Sequence, residues 1–163
     1  MTILPDVLAL GLRVVFCGTA AGDASARVGH YYAGSGNAFW RTVHEIGLTG
    51  DRILTPAEFE SLLRYGIGLT DLAKNAAGTD DRIDAAEFDV ASLETKIHRY
   101  QPRILAFNGK NAARRFLGRP VDYGVQSERI GSTEVFVLPS TSAAARKYWS
   151  LEPWRELTRR LEP

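Results

Sequence analysis

The chain has 163 residues, 45% hydrophobic and 24% charged, a balance that fits one globular domain with a sizeable core. No apolar run reaches the roughly 20 residues of a membrane span, and the N-terminus lacks the basic-then-apolar order of a secretory signal. The single cysteine, Cys17, excludes an internal disulfide and a cysteine-rich metal site and points to a cytoplasmic protein, while the net charge of +1 weighs against a uniformly basic nucleic-acid-binding surface.

In chain order, Arg13 to Gly18 is a short apolar run ending on glycine and is read as a buried strand. Thr19 to Gly36 is a long glycine-rich loop. Asn37 is placed to cap a helix whose Phe39, Trp40, Val43 and Ile46 recur at helical spacing and which Gly47 stops. Thr55-Pro56-Ala57-Glu58 has the form of a capping box with proline at the first helical position, starting a helix that runs to Tyr65. Gly66 to Leu72 is read as a short extended segment and Asn75 to Asp84 as polar turns. Phe88, Leu93, Ile97 and Tyr100 mark one face of a helix from Glu87 to Tyr100, ended by Pro102. Arg103 to Phe107 is another buried strand, and Asn108-Gly109-Lys110 turns into a helix reaching Leu117. Glu134 to Leu138 is the last core strand, Pro139 to Lys147 a loop, and Glu152 to Leu161 a closing helix. No repeat, low-complexity tract or linker interrupts the chain, so residues 1–163 are read as a single domain.

This alternation predicts a three-layer α/β/α fold with a mostly parallel central sheet. Ligands of such sheets bind at the carboxyl ends of the strands. The loops after Gly18, Leu69, Phe107 and Leu138 all begin there, so four segments converge on one edge. That convergence predicts a site without naming its chemistry. Arg114, Arg115, Arg119, Arg146 and Lys147 lie in the C-terminal half as either a local basic face or solvated surface.

The strand-end segments are GLRVVFCGTAAG (11–22), GHYYAGSGNAFW (29–40), YGIGLTDL (65–72), YQPRILAFNGK (100–110) and LPSTSAAA (138–145). In this order and spacing they resemble the mismatch-specific uracil- and thymine-DNA glycosylases of the uracil-DNA glycosylase superfamily. The resemblance covers nearly the whole chain. It implies the superfamily's α/β fold, extrusion of a base from the duplex, and hydrolysis of its bond to deoxyribose.

Within that resemblance, Tyr32 falls where the family places the ring that stacks on the flipped base; the alternative is a loop-packing role for Tyr31 and Tyr32. The first motif departs from the family. Gly18-Thr19-Ala20-Ala21-Gly22 carries Ala20 where relatives carry the asparagine that positions the attacking water, and a methyl group can neither orient nor deprotonate water. Gly18, Thr19, Ala20 and Gly22 keep a backbone able to approach a base closely. Asp71, in GLTDL, and Asp23, just after the glycine motif, are the candidate catalytic replacements, with Asp71 favoured because its segment is the better match. Each has a plainer reading as a turn or cap acid.

Asn108 can read the pyrimidine edge through its amide or cap the following helix. Lys110 is a candidate phosphate contact or a solvated lysine. Ser140, Thr141, Ser142, Ala143, Ala144 and Arg146 resemble the family's DNA-inserting loop. Ala144 stands where relatives push a larger side chain into the duplex, so a relaxed opposite-base preference is expected, with Arg146 able to reach instead. Tyr148 and Trp149 are read as core or hinge residues rather than base contacts. His30 is a candidate helper for the leaving base or a phosphate.

The expectation is therefore a monofunctional uracil-DNA glycosylase that needs no cofactor and no metal. It acts as a monomer on DNA holding uracil or another damaged base, away from membranes. A chain that binds damaged DNA or abasic sites without hydrolysis is the alternative that Ala20 raises. An α/β enzyme acting on a free nucleotide or nucleoside is a third reading, favoured by the low net charge and opposed by the inserting loop.

Overall fold

The computed structural model describes residues 1–163. Five strands form one sheet: β1 (Val14–Ala21), β2 (Ile67–Ala77), β3 (Ile104–Asn108), β4 (Gly124–Ile130) and β5 (Thr133–Leu138), in the spatial order β2-β1-β3-β5-β4. The β1–β2, β1–β3 and β3–β5 pairs are parallel, and only β4 runs antiparallel to its neighbour. The helices are α1 (Asp23–Val28), α2 (Phe39–Glu45), α3 (Val90–Tyr100), α4 (Lys110–Leu117) and α5 (Glu152–Leu161). No helix is long and apolar enough to cross a membrane.

The central strands are apolar on both faces, as a sheet covered on both sides requires. On one face Val14, Phe16, Leu69, Ala106 and Phe136 pack against Phe39 and Val43 of α2, Leu62, and Trp154 and Leu157 of α5. On the other, Val15, Cys17, Leu72, Phe107 and Val135 meet Leu93 and Ile97 of α3 and Ala112 and Ala113 of α4. The expected three layers are present. Phe16 anchors the first layer, edge-on to Phe39 at 5.3 Å and stacked with Trp154 at 5.5 Å. Burying one such aromatic contributes about 1.5–3 kcal/mol.

The edge of β2 is covered by the N-terminal segment. Val7 and Leu69 exchange backbone hydrogen bonds at 2.9 Å in both directions, and the Ile3 N–H donates to the Lys74 carbonyl.

Several element boundaries differ from the sequence reading. β1 runs on through Ala21, and α1 occupies part of the expected loop, because Ala20 and Ala21 still pair with Ala73 and Ala77 of β2. β2 is longer than expected for the same reason. Pro56–Tyr65 is 3-10 rather than α-helical, although the capping box between Thr55 and Glu58 is present. α2 starts at Phe39, one residue later than an Asn37 cap implies, with the Asn37 Oδ1 still accepting the Phe39 N–H. α3 starts at Val90, capped by Asp89. The reading missed β4, an edge strand that turns the apolar Val125 to solvent and the polar Gln126 and Glu128 to its half-buried side, so no hydrophobic alternation marks it.

Candidate active site

The carboxyl ends of β1, β2, β3 and β5 meet at one edge, and the face carrying Phe16, Leu69 and Ala106 continues there into Gly18, Asp71 and Asn108. Gly18 lies in register opposite Asp71. A β-carbon at position 18 would stand 2.9 Å from Asp71 Oδ1 and 3.6 Å from the Tyr32 hydroxyl. The bare glycine is what lets those two oxygens close over the β1 backbone.

Asp71 is only 6% exposed. Burial pushes its carboxyl up to about 6; the Lys74 cation opposes the rise, Asp6 adds to it, and the Gly18 backbone and Lys96 pull it down. Lys74 and Lys96 are held by another carboxylate: Asp6 binds them at 2.8 and 2.7 Å and accepts from the Thr70 hydroxyl at 2.6 Å. Asp71 therefore sits near cations already committed elsewhere. That is the condition of a carboxyl poised to exchange a proton near neutrality.

Tyr32 comes from the segment between α1 and α2 and has φ of +52°, a left-handed conformation that a bulky side chain adopts at a cost of order 1–3 kcal/mol. Its ring stacks on Phe39 with centroids 4.2 Å apart. Its hydroxyl is buried and makes no hydrogen bond. The Asn108 amide comes close enough to pull the phenol's pKa down, without the geometry of a hydrogen bond, while burial and Asp71 push it up more strongly.

Asn108 spends its amide on the following loop. Nδ2 donates to Thr141 Oγ1 and Oδ1 accepts the Thr141 N–H, each at 3.0 Å. It does not cap α4, whose cap position is Gly109. The Thr141 carbonyl in turn accepts the Ala38 N–H, and Trp154 Nε1 donates to the Pro139 carbonyl. The loop is thus fixed at its root. Beyond Thr141, Ala143, Ala144, Arg146 and Lys147 are exposed, on a 3-10 turn spanning Ala143–Tyr148. Ser140 and Ser142 bond each other at 3.2 Å. A β-carbon at Gly36 would lie 2.7 Å from Ala143 Cβ and 3.1 Å from Arg146 Nη2, so the Tyr32 segment and this loop are packed together.

The other expected site residues lie partly at this edge and partly away from it. The Thr19 side chain points to the opposite face of β1, where its hydroxyl donates to Asp80 at 2.6 Å in a cavity of about 360 Å³ shared with Asn111, Arg114 and Arg115. Asp23 does not join Asp71. It lies exposed in the first turn of α1, where a carboxylate suits the helix dipole, paired with Arg82 at 2.7 Å. Ala20 is the penultimate residue of β1, paired with Ala73 of β2, and Gly22 immediately precedes α1. Lys110 lies over the Tyr123 ring at 4.5 Å. His30 is half-buried, 6.1 Å from the Phe59 ring. Tyr148 is not a core residue, being 63% exposed with Lys147 over its ring, whereas Trp149 does pack inward on Trp154 at 6.0 Å. No three His, Cys, Asp or Glu residues are grouped to hold a metal ion.

Comparison with known proteins decides the class. The Uracil DNA glycosylase superfamily model matches residues 5–161. This chain belongs to the uracil DNA glycosylase superfamily. A solution NMR structure from Methanosarcina acetivorans, described as a putative uracil DNA glycosylase, superposes with a TM-score of 0.65 at 26% sequence identity, covering 98% of this chain and 97% of that one. The chain is thus a DNA glycosylase, and damaged DNA is its class of substrate.

For a glycosylase, two features escaped sequence reasoning. The Asp6–Lys74–Lys96 cluster behind Asp71 has no motif, since its members come from the N-terminus, β2 and α3. Phe39, read as helix core, is the ring that supports Tyr32.

Proposed function

We propose that this protein is a monofunctional uracil-DNA glycosylase of the mismatch-specific type in which Asp71 replaces the first-motif asparagine. The observation that carries the reading is the buried Asp71 carboxyl, set over Gly18 at the strand ends with its pKa near 6. Ala20 supplies no polar atom, and Asp71 is the carboxylate available on that face.

A uracil extruded from the duplex enters beside Tyr32, at a cost of a few kcal/mol of unstacking. The end of β1 and its junction with α1, Gly18 to Gly22, offer backbone N–H groups to its carbonyl oxygens, and Asn108 lies at its edge. As the glycosidic bond breaks, its electron pair goes to the base nitrogen and positive charge develops on the sugar. The ionised Asp71 stabilises that charge and accepts a proton from the water whose oxygen bonds to C1′. The product is an abasic site. The mechanism uses no cofactor and no lysine nucleophile, so no strand cleavage accompanies base release. Uracil is the favoured base because it carries no 5-methyl group. Thr141 fixes the inserting loop, and Ser140, Ser142, Arg146 and Lys110 are the candidate phosphate contacts. Ala144 fills little of the gap in the duplex, so discrimination by the opposite base is weak.

Ala20 also supports a second reading, in which the protein binds damaged or abasic DNA without hydrolysis. Oligonucleotides with one uracil, single-stranded or opposite G or A, treated with alkali after incubation, separate the two. Base release by wild type that Asp71→Asn abolishes and Asp23→Asn preserves supports the enzyme. Tight binding without release from any deaminated base supports the binding protein.

A further inference from the structure

Adjacent tyrosines in this fold have opposite fates. The Tyr31 hydroxyl is fully used, donating to the Pro5 carbonyl at 2.9 Å and accepting from Lys74 at 3.1 Å. The Tyr32 hydroxyl is buried with no partner, one of only two side-chain polar atoms in that condition. Buried polar groups are almost always paired, so an orphan held in place by its surroundings points to a role outside the folded chain's own bonding. The surroundings do hold it. The ring is clamped on Phe39 at 4.2 Å, the backbone takes the left-handed conformation, and the hydroxyl faces the Gly18 backbone beside Asp71 Oδ1. A ring needed only as a stacking platform requires no hydroxyl, and a phenylalanine there would remove the orphan.

We propose that the Tyr32 hydroxyl holds the attacking water, donating a hydrogen bond to its oxygen while Asp71 accepts its proton, and so supplies the positioning that Ala20 lacks. This rests on the glycosylase reading with Asp71 as base. The water then has one O–H directed to Asp71, one lone pair engaged by Tyr32 and the other directed at C1′. The new bond forms between that oxygen and C1′, the electron pair of the broken bond leaves with the base, and Asp71 takes the proton. Tyr32 keeps its own proton throughout. Burial and the Asp71 charge both push its pKa up, which keeps it a donor.

The test is Tyr32→Phe, which keeps the ring and removes one oxygen, with Tyr32→Leu beside it. Single-turnover release of uracil from duplex DNA is measured together with binding to the same duplex and thermal midpoint. The expected result is a rate lower by roughly 10- to 100-fold, the worth of one hydrogen bond near developing charge. DNA binding should be unchanged and the thermal midpoint equal or higher, since no native bond is lost. A Tyr32→Phe rate equal to wild type, with Tyr32→Leu impaired, leaves the ring alone important and overturns the proposal while the glycosylase reading stands. A rate loss matched by weaker DNA binding or a lower midpoint makes the hydroxyl structural and also overturns it. A wild type that releases no base overturns both readings together.

Discussion

At the carboxyl end of β1, consecutive residues open onto two unlike environments. On the Thr19 side the polar groups are largely matched to one another: Thr19 and Asn111 both bond Asp80, Arg114 bonds Asn111, and Arg115 lies over Phe88 at 4.4 Å. Asp23, nearby in sequence, is likewise matched by Arg82 in open solvent. On the Gly18 side, a carboxyl is buried away from any direct cation and a hydroxyl is buried without a partner. The same residue types thus serve as surface wiring on one side and as reserve on the other. Salt bridges in water contribute little, whereas a desolvated and unmatched group holds free energy that a substrate can release. The proposed site thus lies where bonding is incomplete, not where polar residues are most numerous.

The strongest way to break this contrast is to remove the charge on the Gly18 side. Asp71→Asn should lower base release by on the order of 10³-fold, as loss of a general base does, read in single-turnover assays. The same variant should be more stable than wild type at neutral pH. The folded carboxyl titrates near 6 against an ordinary value of 3.8, so the native state binds the proton more tightly. Stability from this group is therefore present at low pH and lost as pH rises from about 4 to about 6, a cost on the order of 2–3 kcal/mol at neutrality that the asparagine avoids. Chemical denaturation of both proteins at pH 7 and pH 4 checks the sign, because the gap should close at the lower pH.

A β-carbon on Gly18 comes next. Gly18→Ala places it 2.9 Å from Asp71 Oδ1, displacing the carboxylate, and the rate should fall roughly tenfold or more with little change in DNA binding. Asn108→Ala leaves the buried Thr141 N–H without its acceptor, which should cost about 1–3 kcal/mol in thermal or chemical unfolding and loosen the inserting loop, raising the Kd for duplex DNA. Activity should follow the ionisation of Asp71, with its acid limb reaching half-maximum near pH 6. The smallest effect belongs to the Thr19 side: Asp23→Asn should leave rate, binding and stability at wild-type values. A large rate loss there would erase the distinction between the two sides.

Much of this arrangement was legible in the chain. The alternation of apolar runs and amphipathic helices gives the layers, because burial on two faces demands continuous apolar strands. Asp71 is legible because a single acid interrupts such a run at its end. The position of Asp23 is not legible, since proximity in a motif carries no information about which way a helix turns its first residue. The direction of the Thr19 side chain is not legible either: alternation along a strand sends neighbours to opposite faces, and whether 18 or 19 faces Asp71 depends on register with β2. The orphaned Tyr32 hydroxyl and the Asp6 cluster are illegible because each depends on contacts across distant segments. Tyr148, read as a core or hinge residue, is not core, because the 3-10 turn that carries it projects into solvent.

The strand that carries Asp71 stands at the rim of the sheet, and only the first few residues cover it. Val7 matches its backbone at Leu69, Ile3 reaches Lys74, and Leu4 is buried against the same layer. This strip works as a sheath. Stripped of it, the strand that carries Asp71 would present a row of free amides and carbonyls, the kind of seam along which chains stick to one another. Asp6 within the strip also grips Lys74 and Lys96. Trimming the N-terminus past Val7 would therefore unsheathe the rim and unseat the charges behind the Asp71 carboxyl in one cut, so that self-association and a shifted acid limb should arrive together.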